Sequence, residues 1–336
     1  MSAAPHRWLM PVLAVLVMGL FLASLLIGPA GIGPGESLRA LILGDRGPLT
    51  VVLREIRLPR AILGVLVGAA LGLSGAALQG YLRNPLAEPG LIGVSGAAAL
   101  GAVIALQTGL AAAFALALPL MGLAGAVAAV TLLLLLAGAR GGSLTLILAG
   151  IAVSALAGAA TALVLNLSPN PFAAAEIVFW TMGSLADRSF VHVALAAPFI
   201  ALGTALLLTL GRGLDALTLG EDAAEALGAG LTRLRLVLVA GVAAAVGAAT
   251  AVAGAIGFVG LVVPHMLRPI VGAQPSRLLP ASALGGAALV LAADIAVRLI
   301  LPDRDLKLGV LMALVGAPLF LHLIHRTRRA GGEGLA

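Results

Sequence analysis

The chain has 336 residues, 61% hydrophobic and 10% charged, with a mean hydropathy of +1.15 and a formal charge of +6. A soluble globular domain carries about 25% charged residues, so this composition excludes one and describes a polytopic membrane protein. The basic residues stand singly between apolar runs, without the stripe and interleaved aromatics of a nucleic-acid binder, and the absence of cysteine excludes disulfides, thiolate nucleophiles and Cys-ligated metals.

At about 20 apolar residues per helical crossing, there is room for about ten crossings and no separate soluble domain. Apolar windows predict spans near 9–28, 60–80, 91–107, 112–137, 143–167, 191–210, 234–254, 256–272, 278–298 and 307–325. The first follows His6 and Arg7; its apolar core is longer than that of a secretory signal, and the GPAGIGPG after it offers no small-x-small cleavage site, so it reads as a retained span. Around Gly254, Gly257 and Gly260 the pattern barely breaks, leaving one helix or two. Ten spans return both termini to one side. Eleven of the twenty basic residues then share that side, a slight bias toward its being the cytoplasm.

Span two opens with Arg57 and Arg60 one turn apart, then carries Gly64, Gly68, Gly72, Ala76 and Gly80 at four-residue spacing, a row that lets helix backbones approach closely in lipid. Arg83, Asn84, Pro85, Glu88 and Pro89 are expected to mark emergence at the opposite face. The polar residues near a pathway otherwise built of Ala, Gly, Leu and Val are Ser74, Gln79 and Asn166. Such walls suit the brief passage of a bulky ligand; a bare metal ion would need several ligands to replace its water. The longest polar stretch on the terminal side is 211–235, where Glu221, Asp222 and Glu225 fall in the opening turns of a short helix and Gly228 fits its C-terminal cap. The alternative there is an ordinary solvated loop. Pro264 should bend or interrupt its helix, with a structural His265 beside it, and Asp294 with Arg298 has the i,i+4 spacing of an ion pair near the membrane edge.

Lys307, the only lysine, is followed by Leu308, so no P-loop is possible. HExxH and GxSxG are missing and no deep carboxylate pair is evident, which leaves an intramembrane enzyme without support and an ion-driven secondary transporter with little. His322 and His325, near the end of the last span, read as interfacial anchors.

Four segments in order, 57–96, 211–235, GAIGFVGLVVPHMLRPIVG at 254–272 and LGVLMALVGAPLFLHLI at 308–324, resemble the FecCD-type permease subunits of ABC importers for iron chelates, haem and cobalamin. The resemblance implies an all-α, type II ABC importer permease fold, a single transmembrane domain over 1–336 with an inverted repeat relating spans two to five and seven to ten. It implies a multi-pass protein of the bacterial inner membrane with cytoplasmic termini, forming a homodimer around the pathway. This chain is then no enzyme and binds no cofactor; two ATPase subunits hold ATP and Mg²⁺, and a periplasmic binding protein delivers substrate. Carried over residue by residue, Arg57, Arg60 and Arg298 dock the binding protein, and Asp215, Glu221, Glu225, Leu227, Gly228 and Arg233 couple to the ATPase. Gln79, Asn84, Pro85, Glu88, Pro89, Gly90, Pro264 and His265 belong to the family motifs and pathway. FWTMGSLADRSF at 179–190 resembles the iron-chelate branch, ferric siderophore or haem, with cobalamin the alternative.

Overall fold

A computed structural model describes residues 5–28, 33, 35–37, 39, 47–114, 116–138, 142–168, 171–301 and 306–332, with the side chains of 5–7, 91, 143, 171–173 and 322–332 left aside. Every regular element among them is helical. In chain order these are α1 (Pro5–Leu26), α2 (Pro48–Tyr81), α3 (Val94–Gln107), α4 (Ala117–Ala137), α5 (Ser143–Asn166), α6 (Pro171–Thr181) and α7 (Phe190–Leu208). There follow α8 (Gly211–Leu217), α9 (Glu221–Ala226), α10 (Leu231–Ala253), α11 (Val259–Leu267), α12 (Pro275–Ile300) and α13 (Leu308–Gly332). Among the described residues seven helices are long and apolar enough to cross a membrane, namely α1, α2, α4, α5, α7, α10 and α12; α3 and the apolar part of α13 are shorter.

Each predicted span falls on a helix, but the third, eighth and tenth fall on α3, α11 and α13, whose apolar parts are shorter than the other seven. The eighth, expected over 256–272, is a nine-residue helix preceded by a non-helical stretch from Gly254 to Gly257. The ambiguity at 254–260 therefore resolves into two helices, joined by non-helical backbone at 254–257. Pro264 does not interrupt α11; the break lies upstream of it.

The glycine row of α2 does what its spacing predicts. A Cβ on Gly68 would lie 2.7 Å from the Cα of Ala287, and one on Gly286 would lie 3.1 Å from the Cα of Gly72, so α2 and α12 meet backbone to backbone. Gly75 makes the same kind of contact with Gly260 at the start of α11. The core is thus centred on α2, α10 and α12, and the outer helices expose large apolar side chains such as Val15 on α1 and Leu135 on α4 to lipid.

Two faces follow from the connections. At the near face α2, α4 and α7 end, α10 and α12 begin, and α8 and α9 lie across them; at the far face α1 and α12 end beside the start of α2.

Candidate coupling and docking sites

At the near face α9 is a single short helix opened by Glu221 and Asp222, where the positive end of the peptide dipoles favours carboxylates. It is closed by Gly228 at φ 85°. Gly228 N–H donates to Glu225 O at 2.8 Å and Ala229 N–H to Ala224 O at 2.9 Å, the paired bonds of a Schellman cap. The cap predicted at Gly228 is present. Gly220, at φ 108°, makes the second left-handed turn at the other end. Leu219 and Leu227, 69% and 66% exposed, flank the helix, while Ala224 is buried beneath it. Arg233 is exposed at the start of α10. Glu221 and Glu225 rim a cavity of about 380 Å³ lined also by Tyr81, Leu217, Thr232 and Arg235.

Asp215 takes a different position from the one expected. Its Oδ1 accepts the N–H of Ser276 at 2.9 Å and its Oδ2 accepts from Gln274 Nε2 at 3.2 Å, so it caps the first turn of α12. Asp215 fastens α8 to the body of the bundle rather than offering a free carboxylate.

Residues 82–93, expected at the surface, turn back into the bundle. A Cβ on Gly260 would lie 2.6 Å from Pro89 Cδ and 2.9 Å from Leu71 O. Leu71 precedes the end of α2 at Tyr81 by ten residues, or about 15 Å along the axis. Asn84 stays exposed at the near face, its Oδ1 accepting the N–H of Leu86 at 2.9 Å, whereas the half-buried Glu88 accepts the N–H of Phe258 at the start of α11. Glu88 is therefore a carboxylate at membrane depth, which the sequence pattern concealed. A cavity of about 180 Å³ lies between Glu88, Pro89, Gly90, Ser95 and Gly257.

Gln79 is committed to hydrogen bonds inside the bundle. It is 1% exposed, and its Nε2 reaches Ala87 O, Gly260 O and Leu261 O at 3.2, 3.3 and 3.4 Å while its Oε1 accepts from Arg268 Nη2 at 2.6 Å. The reason is Pro264: lacking an N–H, it cannot bond the carbonyl of Gly260 four residues back, and the Gln79 amide does so instead. His265 borders a small cavity with Leu261, Val262, Leu319 and Phe320.

The far face brings Arg57, Arg60, Asp294 and Arg298 together. Arg60 grips Asp294 through Nε at 3.0 and 3.1 Å and through Nη2 at 2.8 Å. Arg298 completes its expected pair with Asp294 at 2.8 Å. Its remaining donors go to Asp294 O, Ser24 O, Ile27 O and Ser24 Oγ, so all five N–H groups have acceptors. Arg57, 4% exposed, donates from Nη1 to Leu25 O and Leu26 O at 2.9 and 3.0 Å. These two guanidiniums cap the C-terminus of α1 from within. The cluster exists as expected, but Arg57 and Arg298 are turned inward and only Arg60 keeps part of its side chain in solvent. The pairing of Arg60 with Asp294 carried no sequence signal, since 234 residues separate them. His6, Arg7, His322, His325 and Arg140 lie outside the residues or side chains described.

Among the described residues no three His, Cys, Asp or Glu side chains assemble into a metal-binding group.

The model of the FecCD transport family matches residues 15–326. The chain is 40% identical to the cobalamin import system permease protein BtuC of Halobacterium salinarum, over 82% of this chain and 73% of that one. It is 38% identical to the hemin transport system permease protein HmuU of Yersinia pestis, over 82% of this chain and 83% of that one. A solved chain, described as the inward-facing conformation of a provisionally assigned metal-chelate type ABC transporter, superposes with a TM-score of 0.84 at 32% identity, covering 96% of this chain and 100% of that one. Sequence over nearly the whole length and architecture over nearly the whole length agree, and the chain belongs to the FecCD transport family, whose members are transport permeases of the ABC class.

Proposed function

We propose that two copies of this chain form the membrane pathway of an importer for an iron chelate, ferric siderophore or haem, powered by two separate ATPase subunits and fed by a periplasmic binding protein. The observation that carries the reading is α9: an acidic helix between two exposed leucines and two left-handed glycines, anchored by one buried alanine. Exposed leucines on a polar face mark a protein contact. The ATPase is the partner such a permease needs, since this chain has no P-loop. Termini and α9 then face the cytoplasm.

Pairing of two copies is supported by α5, which leaves Ala152, Ala155, Gly158, Ala159, Ala162 and Asn166 exposed. In lipid, small residues with a polar side chain among them favour a helix partner over acyl chains. A chelate is favoured by the FWTMGSLADRSF stretch at 179–190, which resembles the iron-chelate branch. Cobalamin is the second cargo, because the BtuC and HmuU relatives are about equally similar. The binding protein would meet Arg60 first, with Arg57 and Arg298 adding positive field from behind while they hold α1.

Glu88 at membrane depth is the one feature that favours ion-driven transport; uptake that survives loss of ATP but collapses with the proton gradient would establish that instead. The test of the main reading is capture of the ATPase. Leu219→Asp with Leu227→Asp should abolish co-purification of the ATPase while the permease still assembles; undiminished capture would contradict it.

A further inference from the structure

The returning loop 82–93 touches three transmembrane or coupling elements at once. Arg83 Nη2 stands 3.7 Å from Glu221 Oε1 on α9, both side chains half exposed. Glu88 takes the first N–H of the α11 region, that of Phe258, where the helix dipole favours its charge. Ser154 of α5 donates to Gly90 O at 3.2 Å. Phe258 in turn lies against α13, where a Cβ on Gly316 would sit 2.7 Å from Phe258 Cδ1. The loop itself is stiff, with Pro85 and Pro89 fixing φ, Asn84 Oδ1 holding Leu86 N, and Ala87 N–H donating to Asn84 O at 3.2 Å. Arg83 in the loop and Phe258, which Glu88 holds, have φ of 49° and 67°, a region that side-chain-bearing residues rarely adopt.

We propose that loop 82–93 transmits displacement of α9 to the broken segment at 254–258, with Glu88 as the positioning residue that makes α11 follow the loop. This rests on reading α9 as the ATPase-facing helix. A stiff loop carries a push from Arg83 to Glu88 without absorbing it. A carboxylate bonded to backbone N–H away from bulk water is a stronger tie than a neutral contact. The break at 254–258 lets α11 move without unwinding α10, and Phe258 passes that motion to α13.

The test uses the complete complex of permease, ATPase and binding protein in lipid nanodiscs, with a nitroxide on Met266→Cys. Met266 is exposed on α11, and the chain has no native cysteine to compete for label. Addition of ATP should change the label's spectrum in the otherwise unaltered protein. With Glu88→Ala that change should fall roughly tenfold while ATP hydrolysis and ATPase capture persist, and Glu88→Gln, which still accepts a hydrogen bond, should recover it. An undiminished response in Glu88→Ala would overturn the proposal. No response in the unaltered background would overturn the reading of α9 itself. Should Glu88→Ala fail to assemble, the exposed pair decides: Arg83→Glu should weaken the response about two- to fivefold, in keeping with a surface ion pair, and Arg83→Glu with Glu221→Arg should restore it. A charge reversal without effect would contradict the role of the loop.

Discussion

Among the described residues four arginines serve helix ends. Arg57 and Arg298 cap α1, Arg188 donates to Val252 O near the end of α10, and Arg235 donates to Gly138 O at the end of α4. Carbonyls at a helix C-terminus lack partners and carry partial negative charge, and a guanidinium supplies both donors and charge. That task gives Arg57, Arg188 and Arg298 a structural reason for their positions. Arg298→Ala should cost about 3–5 kcal/mol, because it strips α1 of its cap and leaves Asp294 half-paired; a melting curve in detergent would show it, with the exposed Arg54→Ala unchanged as the control. Arg60→Glu should weaken docking of the binding protein while ATPase capture persists, and a titration of the two purified components reads that directly. The presence of the arginine cluster was legible from sequence, since Arg57, Arg60 and Arg298 do converge. Their inward orientation was not, because the acceptors are backbone carbonyls of α1, which no side-chain pattern reveals.

At the scale of elements, periodicity served well wherever lipid or close packing imposed one. The Gly64–Gly80 row predicted a close helix contact, and the structure supplies α12 as the partner. Gly68→Leu should therefore fail by overpacking against Gly286 and Ala287, costing at least about 1–3 kcal/mol, seen as lost monodisperse protein in detergent. The same reasoning failed at 82–93 and 254–258. At 82–93 charged and proline residues read as a surface loop; Arg83 and Asn84 do stay exposed, but Ala87 and Pro89 are buried in protein, where irregular backbone is tolerated because partners such as Gln79 satisfy it. The α9 cap was readable from Gly228 alone. Its φ of 85° means that Gly228→Val strains the turn by about 1–2 kcal/mol without meeting any neighbouring atom. Overall stability should hold while transport per ATP hydrolysed falls, as paired uptake and phosphate-release assays would show.

For the whole molecule, composition was decisive about class and silent about cargo. Hydropathy identified a polytopic bundle. Ala, Gly, Leu and Val dominate the helices, and such side chains leave little record of which substrate passes. The most direct measurement is uptake into proteoliposomes containing this chain, its ATPase and its binding protein, with haem, ferric siderophores and cobalamin offered in parallel. The account predicts ATP-dependent accumulation of haem or a ferric siderophore, abolished when the ATPase is omitted; accumulation that proceeds without ATP, or that is confined to cobalamin, would contradict it.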